Sequence, residues 1–325
     1  MDSMQAGVTG KPDLHHPPTS GRAYRDSNPR IPFRMSSHRP PLAAPNGKPL
    51  IVHVIVNVEY WPFERPTPRT IVVPPHGASH VPDVPNFSWA EYGNRCGVPR
   101  LLRVLGDRKV PASLSINASA IEVYPSLADE CRAAGWEFVG HGVEQRSLSA
   151  EPDERAMISR ALEQLEQFCG RRPRGWMSPG WSETFDTPDY LRAAGIEYIF
   201  EWAIDDLPNW MWTKHGPLIA MPYGLDLNDS VVVAIEKHST TEFRLRVEET
   251  VKTFIREIDE TGQPRVLTLP LHPHLMAVPH RINGLIDIIE GLQQLPQAIF
   301  MTGSEIAEWF VREVPAPELS ALQPR

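Results

Sequence analysis

Long apolar runs are missing from this chain, and so are paired cysteines and any surplus of positive charge. No stretch approaches the roughly 20 consecutive apolar residues of a membrane-spanning helix, and the N-terminal segment lacks the continuous apolar core of a secretory leader. A membrane protein is therefore not expected, and a cytoplasmic location is. Only three cysteines occur, Cys96, Cys131 and Cys169. None stands in a CxxC pair, which excludes a disulfide scaffold or a zinc knuckle as the organising device. The 32 Lys and Arg are outnumbered by 40 Asp and Glu, giving a formal net charge of −8. Such a balance leaves no electrostatic footprint for nucleic acid or an anionic membrane, so a small-molecule substrate is the expected partner.

Proline is what the chain has in quantity: 34 residues, nine of them within 1–49. That segment has seven Lys and Arg against three Asp and Glu and almost no apolar periodicity. It cannot repay its ordering entropy and reads as a mobile or extended N-terminal arm. The pattern changes at Leu50. Residues 50–58, LIVHVIVNV, are β-branched and apolar, as a central strand requires. A Pro-rich stretch from Trp61 to Pro85 follows, too long for an ordinary connector and so a functional loop or subunit contact.

Strands and helices alternate thereafter. Strands are expected near 111–116, 136–140, 174–178, 197–201, 218–222, 231–234, 265–271 and 297–301. Helices are expected near 93–107, 120–134, 153–169, 186–194, 241–260, 281–293 and 303–313. This alternation predicts an α/β protein whose 50–313 region is a single closed or nearly closed barrel, followed by a tail over 314–325. Capping supports two of the helices. Ser149 precedes one whose end is marked by Gly170, and Ser239 opens another that Gly262 follows.

In a β/α barrel, chemistry gathers at the C-terminal ends of the strands. Those ends are unusually polar here. Asn57 and Glu59 end the first strand; His141, Glu144 and Gln145 follow 136–140; Ser178, Gly180 and Trp181 follow 174–178. Asp205 and Asp206 follow 197–201, and His272 and His274 follow 265–271. His272, delivered by a buried apolar strand, is the first candidate for proton transfer. His76 and His80 have HxxxH spacing, but Pro74, Pro75, Gly77 and Pro82 argue for a loop rather than a metal-binding helix. His274 follows a proline, and for it, as for His280, a hydrogen bond to the adjacent loop is an equal alternative.

The succession Asn57-Val58-Glu59, Trp89 to Arg95, Gly140-His141-Gly142, Ser178-Pro179-Gly180, Asp205 to Pro208 and Leu271 to His274 resembles the polysaccharide deacetylase-like (NodB homology) superfamily. It is most similar to the branch with cofactor-independent allantoinases and cyclic imide hydrolases. The resemblance implies a distorted (β/α)7 barrel, hydrolysis of a non-peptide C–N bond and commonly a homotetramer; a dimer or tetramer is therefore expected. Metal-dependent members use an Asp and two His, the histidines four apart, beside a further Asp that acts as base. By that resemblance Asn57 stands at the base position, Glu59 at the metal Asp, His141 at the first metal histidine and Gln145 at the second. A Gln oxygen is a weak ligand beside imidazole, so a divalent metal such as zinc, if present, would rest on Glu59 and His141 alone.

The expected catalytic residues are Glu59, His141, His272 and Asp205: Glu59 and His141 handle water, and His272 protonates the leaving nitrogen. The expected substrate contacts are Asn57, Trp61, Gln145, Ser178, Gly180, Trp181, Asp206, Trp210 and His274, with backbone amides around Gly180 and Trp181 facing the oxyanion. Structural alternatives stand beside these. Glu59 would instead pair with Arg95 or Arg69, Asp205 and Asp206 would only hold a loop, and Trp61, Trp181 and Trp210 would be interface aromatics. Three functions remain open: a metal-independent cyclic amidohydrolase, a metal-dependent deacetylase of an N-acetylated sugar or small amide, and a non-enzymatic binding barrel. The last needs Glu59, His141 and His272 to be too far apart to share one substrate atom.

Overall fold

The first strand, β1 (Leu50–Val58), is buried along its whole length, which its unbroken apolar sequence allows. Period-two alternation divides it. Leu50, Val52, Val54, Val56 and Val58 join the core between sheet and helices, whereas Ile51 and Ile55 join a second cluster on the concave side of the sheet. His53 and Asn57 share parity with the concave set, and so does Glu59, one residue past the strand. His53 is spent inside: its Nε2 lies 2.9 Å from Ser113 Oγ, its ring stacks on Phe200, and burial pushes it down to about 3, so it is a neutral core residue.

The structure, a computed structural model, describes residues 30–70 and 80–317. After β1 come α1 (Val84–Tyr92), α2 (Val98–Asp107), β2 (Ser113–Ile116), α3 (Ser119–Val123), α4 (Pro125–Ala133), β3 (Glu137–Gly140), α5 (Glu154–Cys169), β4 (Gly175–Trp176), α6 (Thr187–Ala193) and β5 (Tyr198–Ile199). Then follow β6 (Asn209–Thr213), β7 (Gly216–Ala220), α7 (Thr240–Thr261), β8 (Arg265–Leu271), α8 (Pro273–Met276), α9 (Ile282–Gln293), β9 (Ala298–Phe300) and α10 (Gly303–Glu313). The sheet runs β6-β7-β5-β4-β3-β2-β1-β8, with β9 beside the start of β1. Every pairing is parallel except β6 with β7. The two ends approach each other: Val266 N–H donates to Asp206 O at 2.9 Å, and Thr268 Oγ1 donates to Pro222 O at 2.7 Å. The result is the distorted barrel expected of the sequence, with seven parallel strands in β8-β1-β2-β3-β4-β5-β7.

Local chemistry sets the helix ends. Asp153, not Ser149, caps α5 by accepting from Ala156 N, and Ser239 caps α7 by accepting from Glu242 N. Gly170 and Gly262 end the same two helices at φ 70°.

Four expectations need correction. The run 231–234 is not a strand. Asn228 Oδ1 accepts from Ser230 N at 2.8 Å and turns the chain into a π-helical stretch, Ser230–Ile235, so a local side-chain bond overrides the β-propensity of three valines. The helix expected from 93 begins at Val84 and is interrupted by a π turn at Gly93–Gly97, and the helix over 120–134 breaks at Tyr124. Strand β6 was not anticipated. Residues 30–49, part of the arm expected to be mobile or extended, lie extended against the barrel, with Ile31 and Leu42 buried. Arg30 pairs with Asp189, Arg39 pairs with Asp205, and Gln263 Nε2 donates to Arg39 O and Pro40 O.

Candidate active site

At the C-terminal edge of the sheet, β1, β3 and β8 deliver Glu59, His141 and His272 to one pocket. Glu59 Oε1 lies 4.0 Å from His141 Nε2 and 3.6 Å from His272 Nε2, and it accepts from Gln145 Nε2 at 3.0 Å. The other carboxylate oxygen accepts from Trp61 Nε1 at 2.7 Å. Burial alone would raise the Glu59 carboxyl, but the hydrogen bonds and charges of His141 and His272 hold it well below the usual range. Glu59 is therefore a carboxylate at neutral pH. Neither proposed arginine neutralises it: Arg95 pairs with Glu91 at 2.7 Å, and Arg69 makes no ion pair among the described residues.

The two imidazoles are oriented from behind. His141 Nδ1 lies 2.6 Å from Met177 O; a carbonyl only accepts, so Nδ1 carries a proton and the buried, unpartnered Nε2 faces the pocket. His272 Nδ1 lies 2.6 Å from Asp229 Oδ1, while Asp229 Oδ2 accepts from the His272 backbone N–H at 2.6 Å. Burial alone would lower His272, yet the charge and hydrogen bond of the wholly buried Asp229, followed by those of Glu59, raise it to about 9. At neutral pH it is an imidazolium. Asp229 escaped the sequence reading because the valines after it look like a strand; its only signal was Asn-Asp-Ser following the 218–222 strand.

Glycines in the β1 to β2 connection let the His272 turn sit where it does. A Cβ on Gly93 would fall 2.5 Å from His274 N, and one on Gly97 2.5 Å from Pro273 O, so the π turn packs directly on the His272-Pro273-His274 backbone. His274 is buried, faces the ring edges of Trp61 and His272, and is depressed to about 3 by burial. It is a neutral wall.

The inner pocket is also lined by Asn57, Ser178, Gly180, Trp181 and Tyr223. Asn57 Nδ2 donates to Tyr223 O–H at 3.1 Å, and Asn57 Oδ1 is buried without a partner. Tyr223, missed in the sequence, thus accepts from Asn57 and keeps its own proton to donate. Glu201 fixes the Ser178 end of the wall by accepting from Ser178 N and Phe200 N. Trp181 N–H is spent on Ser178 O, which corrects its expected role as an oxyanion donor; Gly180 N–H has no such bond among the described residues. An outer cleft of about 360 Å³ shares Glu59, Arg69, Gln145, Gly180 and His272 with the inner pocket and adds Trp61, Arg146, Ser147 and His274.

Three expected site residues lie elsewhere. Asp205 is bound to Arg39 at 2.7 Å and turns into the Leu207 backbone, Asp206 lies 3.9 Å from Arg265, and Trp210 Nε1 donates to Val314 O while its ring packs on Phe310. The β6–β7 hairpin carries this loop to the flank of the barrel. His80 and His280 are exposed, and His76 lies outside the described residues.

The donor set does not match a divalent metal site. Gln145 turns its N–H to Glu59 and its oxygen to Asn117 Nδ2 at 3.4 Å, so a hydrogen-bond donor occupies the third ligand position. His272 Nε2 carries a proton, and among the described residues no group of three or more His, Cys, Asp or Glu is arranged to hold an ion.

A curled parallel sheet with a carboxylate, two imidazoles and a buried Asp at its C-terminal edge defines an acid–base (β/α) barrel. Residues 89–199 match the family model described as polysaccharide deacetylase. A putative polysaccharide deacetylase of Schizosaccharomyces pombe is 24% identical over 241 residues, 67% of this chain and 73% of its own. The crystal structure of Puue allantoinase superposes with TM-score 0.77 at 23% identity, covering 86% of this chain and 96% of that one. A probable polysaccharide deacetylase from Pseudomonas aeruginosa PAO1 gives TM-score 0.73 at 25% identity, over 86% and 96%. The binding-barrel alternative loses its condition, because Glu59 is within 4.0 Å of both imidazoles.

Proposed function

We propose that this protein hydrolyses a non-peptide C–N bond in a small cyclic amide, ureide or imide, without a metal ion. The observation that carries the reading is the line Asp229, His272, Glu59, His141, in which the Glu59 carboxylate lies 3.6 Å from the His272 imidazolium and 4.0 Å from His141 Nε2. Two acceptors 4.0 Å apart are spanned by one water donating about 2.8 Å hydrogen bonds to each. Held between Glu59 Oε1 and His141 Nε2, that water points its lone pairs into the pocket.

The water oxygen forms a bond to the carbonyl carbon as its proton passes to Glu59 or His141. Charge develops on the carbonyl oxygen, for which Gly180 N–H and Tyr223 O–H are the available donors. As the C–N bond breaks, the nitrogen takes the proton from His272 Nε2, which Asp229 keeps loaded at neutral pH. Imides and ureides are suited to such a site because a second acyl group already withdraws electrons from nitrogen. The substrate is a soluble small molecule, in keeping with a cytoplasmic enzyme and with the homo-oligomer that the family resemblance implies; among the described residues no helix is long and apolar enough to cross a membrane.

Deacetylation of an N-acetylated sugar or small amide is the second reading, favoured by the family match, and it predicts an ion on Glu59 and His141. Both are tested by assaying hydantoins, succinimides, allantoin and N-acetyl sugars with and without chelator. We expect ring opening that survives chelation and falls about 10²- to 10⁴-fold in His272→Ala. Cleavage of N-acetyl sugars alone, or loss of activity with chelator, overturns the first reading.

A further inference from the structure

Arg69 is the charged group of the cleft that the chemistry above does not use. It lines both the inner pocket, beside Glu59, His141 and His272, and the outer cleft. Other arginines around the site are occupied. Arg65 is paired with Glu144, Arg95 with Glu91, Arg146 with Glu151, and Arg281 donates to Leu275 O. Arg69, only partly exposed, has no hydrogen bond or ion pair among the described residues. Nor can a neighbour in the pocket easily neutralise it. Glu59 is engaged by Gln145, Trp61 and the imidazoles, and Asp229 by His272.

A half-buried guanidinium with no hydrogen-bond partner among the described residues has donors to offer a ligand, and its planar fork matches the two coplanar oxygens of a carboxylate. The outer cleft offers such a group little repulsion: apart from Glu59, its lining among the described residues contains no acidic residue. We infer that Arg69 binds a carboxylate on the substrate, so that the substrate class is a small cyclic amide or ureide bearing an acidic substituent. Its scissile bond then lies at Glu59 and its carboxylate in the outer cleft. This rests on the ring-hydrolase reading for the ring, but not for the anion.

The test compares hydantoin-5-acetate with hydantoin, the same ring without the carboxylate, by calorimetric binding to the full chain and to Arg69→Gln and Arg69→Lys. Wild type is expected to bind the acid about tenfold more tightly or better, the worth of one charge-assisted hydrogen bond. The preference should vanish in Arg69→Gln and partly return in Arg69→Lys, with thermal melts showing that each variant is folded. Equal binding of the two rings, no binding of either, or a preference that survives in Arg69→Gln overturns the inference. Hydrolysis is followed in parallel. Arg69-dependent binding without cleavage of either ring refutes the hydrolase reading on this class and leaves the anion site standing.

Discussion

Asp229→Asn removes the charge behind His272 while keeping the shape of the side chain. In the native pocket Asp229 does most to raise the imidazole to about 9 against the opposing effect of burial. Returning it even to the ordinary 6.5 removes about 3 kcal/mol of proton affinity. Burial, no longer opposed by Asp229, works in the same direction. At pH 8 the donor form falls from about nine-tenths to a few per cent or less, so kcat/KM should fall roughly 30-fold or more, whereas at pH 6 the loss should be smaller. The sign follows from the acid role: activity is present while His272 is protonated and disappears as pH rises through its pKa. The pH profile of kcat/KM should therefore show an alkaline limb near 9 in wild type and below about 7 in the variant. Imidazole NMR titration of His272 reads the same quantity without any substrate. A limb that stays near 9 in Asp229→Asn, or a defect equal at pH 6 and pH 8, refutes the assignment.

Other substitutions separate the site from its supports. Gly93→Ala drives a Cβ to 2.5 Å from His274 N, and should cost about 1–3 kcal/mol in a chemical melt and lower kcat/KM at least several-fold by moving the His272 turn. Gln145→His replaces the donor beside Glu59 with a ligand; elemental analysis after dialysis should find bound zinc in the variant and little in wild type, and equal metal in both would contradict the donor-set argument. Asp205→Ala breaks the nearly buried pair with Arg39 and should lower stability by roughly 3 kcal/mol while kcat/KM changes less than about threefold; a large kinetic loss would return Asp205 to the chemistry.

The sequence was most informative where burial is uniform. β8 begins and ends at the expected residues, because an apolar run closed by His272-Pro273 admits few other boundaries. For the same reason the parity of β1 carries Glu59 to the concave side together with Asn57. Glu59, Asn57, His141, Gln145, Ser178, Gly180 and His272 all line the inner pocket because each lies at the C-terminal end of a parallel strand. What was hidden depended on long-range choices. Three consecutive valines do not reveal that Asn228 will bond Ser230 and turn Asp229 toward His272. Similarly, Asp205, Asp206 and Trp210 follow a strand end in sequence, but Arg39, Arg265 and residues 310–314 respectively claim them. Arg69 lies in a Pro-rich loop, where spacing carries no information about direction.

The extended segment over 30–49 ties together parts of the chain that are made far apart in time. Ala43 N–H donates to Glu313 across 270 residues, Trp309 Nε1 donates to Ala43 O across 266, and Leu42 N–H donates to Gln263 across 221. Together with β1, whose neighbours include β8 and β9, these contacts give the chain a high contact order. During synthesis β1 therefore emerges with an unpaired apolar edge and must wait for more than two hundred further residues before β8 can cover it. Until then the chain presents the kind of exposed strand edge that chaperones bind and that aggregates grow from.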